Sequence, residues 1–364
     1  MDRPSLQLQE NLHSAIREAV LSHRPILTHL NADTSWLLQL PYPPDAVRPP
    51  ERSRFNIILD PWFRGPQSDV ARFFSTQWHV IESSVQTMTE LEERLAEIEQ
   101  IVQRCNMQSR NRKRARSRQN LRKSYIDAVV ISHEFTDHCN KQTLLELDPN
   151  TPIFATRLAV YLIKSWKYFN LVQEIPPFSA KYSDWRDTSL HPLPSWIGIS
   201  RMVTESDALY YHSAILIAFD IYSGDVNRGS EKTLPAEAII YSPHGIYAHK
   251  LGHLTHALPP VKTLALLHGL HDIRISVKQL NLGAHNGLQA QRMCQAKYWV
   301  STHDEIKKES GFITAFLNRK ILTLQEALSE ERSSKGGISD ESELADMKGV
   351  TFTELASGES LLLG

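Results

Sequence analysis

The segment VVISHEFTDHCNKQTL (residues 129–144) decides the fold prediction. Its β-branched apolar residues lead into His133, Asp137 and His138, and a short predicted helix follows. The apolar run is continuous rather than alternating, which is typical of a strand buried on both faces. A loop that follows such a strand is held rigidly by the sheet, and α/β proteins often place their chemistry there. The segment therefore predicts an α/β protein with a functional loop at a strand end.

The side chains of this loop predict a metal site. Imidazole nitrogen and carboxylate oxygen are the ligands that a zinc-like divalent ion accepts. His133, Asp137 and His138 lie within six residues of one another, and burying all three without partners would be costly. The alternative is a surface loop with incidental histidines.

The composition is that of an ordinary globular protein. The chain has 364 residues, of which 41% are hydrophobic and 22% charged, and its net charge is -1. Three cysteines, Cys105, Cys139 and Cys294, are too few for a disulfide framework and favour a reducing compartment. We find neither a signal-peptide pattern nor an apolar run of membrane-spanning length. We therefore expect a cytoplasmic protein without a transmembrane segment.

One basic run stands out against this neutral background. SRNRKRARSRQNLRK (109–123) contains eight basic residues. Such a run can be a nuclear-targeting or nucleic-acid-binding segment. It contains no aromatic residue to stack on bases and no second basic cluster follows, so a solvated loop is the favoured interpretation. A nucleic-acid partner is not expected, and nuclear targeting through residues 110–123 remains an alternative.

Strand-like and helix-like segments alternate in both halves of the chain, which predicts a layered α/β fold. Residues 25–40 and 55–63 are predicted strands, and residues 67–104 are predicted to be helical. The predicted organisation is an N-terminal helix (1–24), a main domain (25–325) with a helical and basic insertion (66–123), a flexible acidic segment (326–349) and a returning strand (350–364).

The opening segment resembles the second motif of the metallo-β-lactamase superfamily, His-x-His-x-Asp-His after a strand. His133, Asp137 and His138 match this motif, whereas Phe135 replaces its second histidine. FNIILDPWF (55–63) resembles the first motif, whose aspartate, here Asp60, braces the ligand-bearing loop. The resemblance covers about residues 25–305 and is nearest to the branch of ascorbate-phosphate lactonases and N-acyl phosphatidylethanolamine phospholipase D. It implies a four-layer αββα sandwich.

The resemblance also implies further ligands from distant segments. YYHSAILIAFD (210–220) places His212 at the third-motif histidine, and YSPHGI (241–246) places His244 where the family has a bridging aspartate. AKYWVSTHDE (296–305) resembles the last motif and supplies His303. For His212 and His244 the alternative is a hydrogen-bonded core histidine.

The replacement at Phe135 predicts an unequal pair of metal sites. By the family pattern, Phe135 weakens the first site, whereas Asp137, His138 and His303 keep the second site intact. We expect one well-held ion, with His133, His212 or His244 as additional ligands. Zinc is the expected ion; a second ion, iron and manganese remain open. A site with three protein ligands and an open position is the catalytic arrangement.

These ligands predict a metal-dependent hydrolase. A zinc-like ion lowers the pKa of its water from 15.7 toward about 7. An ester, lactone, thioester or phosphodiester of a small or lipid-like molecule is the expected substrate. Asp137 or His133 would orient the water, and His133 and His244 are candidates for proton transfer if they are not ligands. The alternatives are a metal-dependent lyase or isomerase, and a catalytically lapsed binding protein of the same fold.

Overall fold

The structure is a computed structural model, and it describes residues 6–49, 51–68, 73, 75–109, 124–179, 181–203, 211–222, 235–312, 316–334, 347 and 349–364. The helices are α1 (Leu6–Leu21), α2 (Met88–Ser109), α3 (Lys141–Leu144), α4 (Arg157–Ser165), α5 (Ala248–Leu251), α6 (Ala284–Cys294) and α7 (Leu324–Ser334). Short 3-10 helices span Trp185–Thr188 and Gly252–His256.

The strands of the first half are β1 (Ile26–His29), β2 (Trp36–Pro41), β3 (Arg54–Leu59), β4 (Thr76–Trp78), β5 (Ala128–Ile131), β6 (Ile153–Ala155), β7 (Val172–Glu174) and β8 (Ile197–Val203). Those of the second half are β9 (Ser213–Phe219), β10 (Ala236–Ser242), β11 (Val261–His268), β12 (Asp272–Ile275), β13 (Lys278–Asn281), β14 (Tyr298–Val300), β15 (Lys308–Ser310), β16 (Leu317–Lys320), β17 (Thr351–Thr353) and β18 (Ser360–Leu362).

Two large sheets dominate the structure. A seven-stranded sheet has the order β18-β1-β2-β3-β5-β6-β7, and a six-stranded sheet has the order β17-β14-β11-β10-β9-β8. A three-stranded sheet, β13-β12-β16, and a two-stranded sheet, β15-β4, lie outside them.

The inner faces of the two large sheets enclose the main core. Leu38 and Ile57 of the first sheet share one cluster with Ile217 and Ile239 of the second, and all four side chains are fully buried. Burying an aliphatic side chain of this size contributes about 1.5–3 kcal/mol. The two sheets are therefore held together chiefly by the hydrophobic effect.

Helices cover the outer faces. Leu91 of α2 and Ile163 of α4 pack in one cluster with Val129 of β5. On the other side, Leu251 of α5 shares a cluster with Leu216 of β9. The architecture is thus a four-layer αββα sandwich, as predicted.

The carboxyl ends of parallel strands meet at one edge of this sandwich. β3 runs parallel to β5, and β10 and β14 both run parallel to β11. Asp60 follows β3, His133 follows β5, His244 follows β10 and His303 follows β14. In open α/β sheets this edge is where ligands bind.

Residues 25–40 form two strands rather than the single strand predicted. β1 and β2 pair antiparallel, and the turn between them is built on Asn31. The Asn31 Oδ1 accepts hydrogen bonds from the backbone N–H groups of Asp33 and Ser35, both at 2.9 Å. An asparagine that bonds nearby backbone in this way favours a turn over a continued strand.

The helix predicted over residues 67–104 begins only at Met88. Before it, Thr76–Trp78 form β4, which pairs with β15. The basic run at 110–123 lies outside the described residues. Among the described helices, none combines the length and the apolar character that a membrane crossing requires.

Residues 326–334, which the sequence placed in a flexible segment, belong to helix α7. The Glu326 N–H donates to the Thr323 hydroxyl oxygen at 3.2 Å, and the Thr323 N–H donates to the Glu326 carboxylate at 2.8 Å. This reciprocal pair is a capping box, and it starts the helix. Residues 335–346 and 348 lie outside the described part of the chain. The C-terminal residues form β17 and β18, one at an edge of each large sheet.

Candidate metal centre

Asp60 ties the loop after β5 to the rest of the site. It adopts a φ of 42°, in the left-handed region that aspartate tolerates better than most residues. Its carboxylate accepts hydrogen bonds from the Ser132 N–H at 2.7 Å, from the Tyr241 hydroxyl at 2.8 Å and from the Ser132 hydroxyl. Asp60 thereby links β3, β5 and β10 and lies behind the ligands rather than among them.

His138 is oriented by Asp60. Its Nδ1–H donates to the Asp60 Oδ2 at 2.7 Å, and both side chains are fully buried. A carboxylate that accepts from one ring nitrogen fixes the tautomer and leaves a lone pair on the other nitrogen. The Nε2 of His138 therefore presents a lone pair to the interior of the site.

His244 faces His138 in the same manner. The Nδ1–H of His244 donates to the Asn281 Oδ1 at 2.7 Å, which leaves Nε2 as the acceptor. This Nε2 lies 3.0 Å from the Nε2 of His138. Two imidazole lone pairs at that distance require a cation between them, either a proton on one nitrogen or a metal ion.

His303 and Asp137 complete the group. The Nδ1–H of His303 donates to the Asp33 Oδ1 at 2.9 Å, and its Nε2 lies 3.9 Å from the Asp137 Oδ2. The other Asp137 oxygen, Oδ1, lies 3.7 Å from the Nε2 of His138. Asp137 therefore stands between two histidines whose free nitrogens face it.

These donors fit a divalent ion. Two sets of three offer ligand atoms within 4.8 Å of one another: His133, His138 and His244, and Asp137, His138 and His303. Tetrahedral zinc with Zn–N bonds of about 2.0–2.1 Å holds two nitrogens about 3.3 Å apart, close to the separation of the two facing imidazoles. Oxygen atoms of Asp60, Asn281 and Asp33 accept from the outer nitrogens, as in protein metal sites.

Burial and charge set the protonation of these groups. Burial acts to raise the pKa of Asp137, but the positive charges of His138, Lys307 and His303 outweigh it and hold that pKa below its usual range. Burial lowers the pKa of His244 well below its usual value, and the nearby imidazoles lower it further. An ionised Asp137 and a neutral His244 are the forms that bind metal.

Among the described residues, the candidate ligands of the first-site pattern are engaged in other contacts. Phe135 stacks on Tyr211 with ring centroids 4.9 Å apart and an angle of 13° between the rings. The Nε2–H of His133 donates to the carbonyl oxygen of Tyr211 at 3.0 Å. His212 belongs to neither set of three, and its ring packs against Tyr247 with centroids 5.2 Å apart. The structure brings together the other five predicted ligands and leaves His212 apart from them.

Three residues of the site were not identified from the sequence. Asn281 and Asp33 orient His244 and His303, and the Lys307 Nζ lies 2.7 Å from the Asp33 Oδ2 and 3.2 Å from the Asp137 Oδ2. The polar run NADTS (31–35) between two apolar segments was the available signal for Asp33. Nothing in the local pattern around Asn281 or Lys307 distinguishes them from surface residues.

A cavity of about 260 Å³ opens onto the group, with Asp137, His244 and His303 in its lining. Its apolar lining comprises Phe135, Tyr211, Ile273, Ile275, Leu280 and Leu317. The four aliphatic residues belong to the three-stranded sheet β13-β12-β16. Small-molecule sites usually measure about 300–1,000 Å³, so this cavity accepts a small group with an apolar surface.

No protein-family model matches the chain, and no curated protein matches it. A solved structure described as a possible metal-dependent hydrolase from Veillonella parvula is similar, with a TM-score of 0.50 and 11% identity over 93% of this chain and 100% of that chain. An isothiocyanate hydrolase from Delia radicum gut bacteria gives a TM-score of 0.49 and 14% identity, covering 93% of this chain and 99% of that chain.

The metallo-beta-lactamase fold protein YhfI from Bacillus subtilis gives a TM-score of 0.45 and 10% identity over 93% of this chain and 99% of that chain. At these identities the similarity concerns the fold alone. The four-layer αββα sandwich expected from the sequence is confirmed by the sheets and helices of the structure itself.

Proposed function

We propose that this chain is a metal-dependent hydrolase of the metallo-β-lactamase superfamily. The observation that carries the proposal is the 3.0 Å separation of the Nε2 atoms of His138 and His244, each with its Nδ1 anchored. Asp137 and His303 would complete the ligand set. Zinc is the ion we propose, although iron and manganese accept the same donors.

Within the superfamily, we place the chain near the lactonase and N-acyl phosphatidylethanolamine phospholipase D branch, with Phe135 in place of the second histidine. The proposed reaction is hydrolysis of an ester, lactone, thioester or phosphodiester bond. When bound, the ion would supply hydroxide near neutral pH and polarise the substrate carbonyl or phosphoryl oxygen.

The other roles in the reaction would belong to side chains of the protein. The ionised carboxylate of Asp137 would accept a hydrogen bond from the attacking water and orient it, but with its pKa held below the usual range it would not take the proton of that water. The Nε2 of His133 donates to the Tyr211 carbonyl at 3.0 Å, so His133 serves to hold the cavity wall rather than to relay that proton. Asn281 accepts from the Nδ1 of His244 and keeps this ring in the orientation of a ligand.

The cavity supports a small or lipid-like substrate. Its volume is about 260 Å³, and its apolar lining combines the Phe135–Tyr211 stack with aliphatic side chains such as Ile275 and Leu317. An apolar group of the substrate would be removed from water there, at a gain of about 25 cal/mol for each Å² of buried apolar surface.

A catalytically lapsed binding protein is the second candidate. It is favoured by the ammonium of Lys307, which contacts Asp137 at 3.2 Å and already neutralises part of its charge. A protein of this kind would bind a small apolar ligand in the cavity and would purify without stoichiometric metal.

Metal analysis joined to a substrate panel tests the proposal. Protein purified without chelator would be analysed for zinc, iron and manganese, and assayed with p-nitrophenyl butyrate, a γ-lactone, a thioester and bis(p-nitrophenyl) phosphate. We expect about one ion per chain and hydrolysis that a chelator abolishes and zinc restores.

His138→Ala should lose both metal and activity. His285→Ala is the matched control, because the His285 side chain is half-exposed and bonds Glu330 rather than the site. Hydrolysis that persists in chelator and in His138→Ala, or protein that contains no metal, would contradict the proposal.

A further inference from the structure

The side-chain ammonium of Lys307 lies between two buried carboxylates. Its Nζ lies 2.7 Å from the Asp33 Oδ2 and 3.2 Å from the Asp137 Oδ2, and the residue is 8% exposed. The ammonium also lies over the ring of Trp62, 5.4 Å from its centroid. A buried ammonium is tolerated only where such partners replace water. The two carboxylates and the ring therefore fix its position.

Because of this contact, the two carboxylate oxygens of Asp137 have different neighbours. The Oδ2 faces Lys307 at 3.2 Å, nearer than the Nε2 of His303 at 3.9 Å, whereas the Oδ1 faces the Nε2 of His138 at 3.7 Å. A carboxylate held by an ammonium on one oxygen is a monodentate ligand on the other. Without Lys307, both oxygens of Asp137 would be available to cations.

The charges around the centre also favour a single divalent ion. Three carboxylates contact the candidate ligand histidines, namely Asp33, Asp60 and Asp137. Lys307 is the ammonium that contacts two of them. When the imidazoles bind a metal ion they are neutral, so these three negative charges and the one positive charge of Lys307 leave two negative charges, which one divalent ion balances. A second divalent ion would leave the buried centre with an excess of positive charge.

We propose that Lys307 is an internal counter-cation that restricts the centre to one divalent ion. It occupies the Oδ2 of Asp137 and repels a further cation. At 4 Å, two unit charges repel by about 1 kcal/mol in water and by about 4 kcal/mol near a protein surface. The inference rests on the proposed metal centre and extends it. The centre would contain two cations, of which one is the bound ion and the other is the side chain of Lys307.

Zinc binding by the metal-free, full-length chain tests this role. Lys307→Gln removes the charge and keeps hydrogen-bond donors, Lys307→Met removes both, and Lys307→Arg keeps the charge. Lys278→Met is the matched control, because Lys278 is an exposed lysine that lies over the Tyr211 ring, 5.3 Å from its centroid. Zinc chloride would be titrated calorimetrically, and circular dichroism would confirm folding.

We expect the wild type, Lys278→Met and Lys307→Arg to bind one zinc ion each. Lys307→Gln and Lys307→Met should bind the first ion at least about tenfold more tightly or take up a second ion. Two folded variants with wild-type affinity and stoichiometry would overturn the inference. Loss of zinc in both would also overturn it, because Lys307 would then only support Asp137.

Zinc binding by the wild type distinguishes a failure of this inference from a failure of the proposed function. If the wild type binds zinc and the neutral variants behave identically, the inference fails and the metal centre stands. If the wild type binds no zinc but Lys307→Gln does, both the metal-dependent function and the restriction to one ion fail, because Lys307 then excludes every divalent ion. If none of them binds zinc, both fail.

Discussion

The Nε2 atoms of His138 and His244 lie 3.0 Å apart, although 106 positions separate the two residues. Each ring is held from behind by a different part of the chain, His138 by Asp60 and His244 by Asn281. Because both rings are fixed, neither can turn away without breaking a buried hydrogen bond. The pair is preorganised to share a cation, and a supporting shell of this kind gives a site its precision.

Removing a ligand should release the metal. We expect His303→Ala and Asp137→Ala to lower the zinc content from about one ion per chain to a small fraction of that, because each removes a donor that faces the centre. His212→Ala should keep its metal, since His212 lies outside both ligand sets. Elemental analysis of the folded variants measures this, and zinc retained in both ligand variants would refute the assignment.

Asn281 should matter for zinc affinity although its amide orients a ligand rather than being one. Asn281→Ala removes the acceptor of the His244 Nδ1–H and should weaken zinc binding by about 10–100-fold. Asn286→Ala is the control, because Asn286 bonds His268 instead. Competition with a chelator of known affinity gives the zinc dissociation constant of each variant. Equal affinities in the two variants would show that His244 does not bind the ion.

Restoring the family histidine at position 135 should not by itself create a second site. We expect Phe135→His to bind one ion per chain, because His133 is bonded to the Tyr211 carbonyl and His212 packs against Tyr247. Zinc titration followed by dialysis and elemental analysis gives the stoichiometry. Two ions per chain would mean that these histidines rotate inward once a third donor is present.

Gly287 should tolerate no side chain. The motif LGAHNG (282–287) suggests a turning role, but Gly287 lies within α6, and a Cβ there would come within 2.4 Å of the buried Trp299 ring. We expect Gly287→Ala to lower the free energy of unfolding by about 1–3 kcal/mol. Gly252→Ala should be near neutral, since its Cβ would meet only the Met293 Sδ at 3.8 Å. Urea denaturation compares the two, and equal stabilities would contradict the packing argument.

His268 should make the metal-free protein less stable in acid. Burial lowers the pKa of His268 below its usual value, although bonds to Asn286 and to the Gly269 carbonyl oppose this. The unfolded chain binds this proton near pH 6.5, so the stabilisation is complete above about pH 6.5. It is lost as the pH falls through the lower pKa of the folded state, at up to about 1.4 kcal/mol per pH unit.

Urea denaturation at pH 7.5 and pH 5.5, in chelator, measures this effect. Between the two pH values, His268→Gln should lose less free energy of unfolding than the wild type. His285→Gln changes a half-exposed histidine outside the core and should follow the wild type. If His268→Gln and the wild type have the same pH dependence, the buried imidazole is not responsible.

The layered α/β fold and the local cluster of candidate ligands could be predicted from the sequence. The continuous apolar run at 128–131 predicts a buried strand, and the spacing of His133, Asp137 and His138 places them in the loop after it. These are properties of one short segment, so they can be recognised from composition and spacing. The predicted flexibility of 326–334 overlooked the capping box at Thr323, which is an equally local signal.

The set of distant side chains that reach the centre became known from the folded structure. It brought Asp33 to His303 across 270 positions and Lys307 to Asp137 across 170, and it left His212 outside the ligand sets. The position of a side chain in the folded site depends on strand register and on the turn that precedes it. For a histidine, a neighbouring hydrogen-bond acceptor also decides which ring nitrogen carries the proton. Those constraints act between segments far apart in the chain, so no local pattern records them.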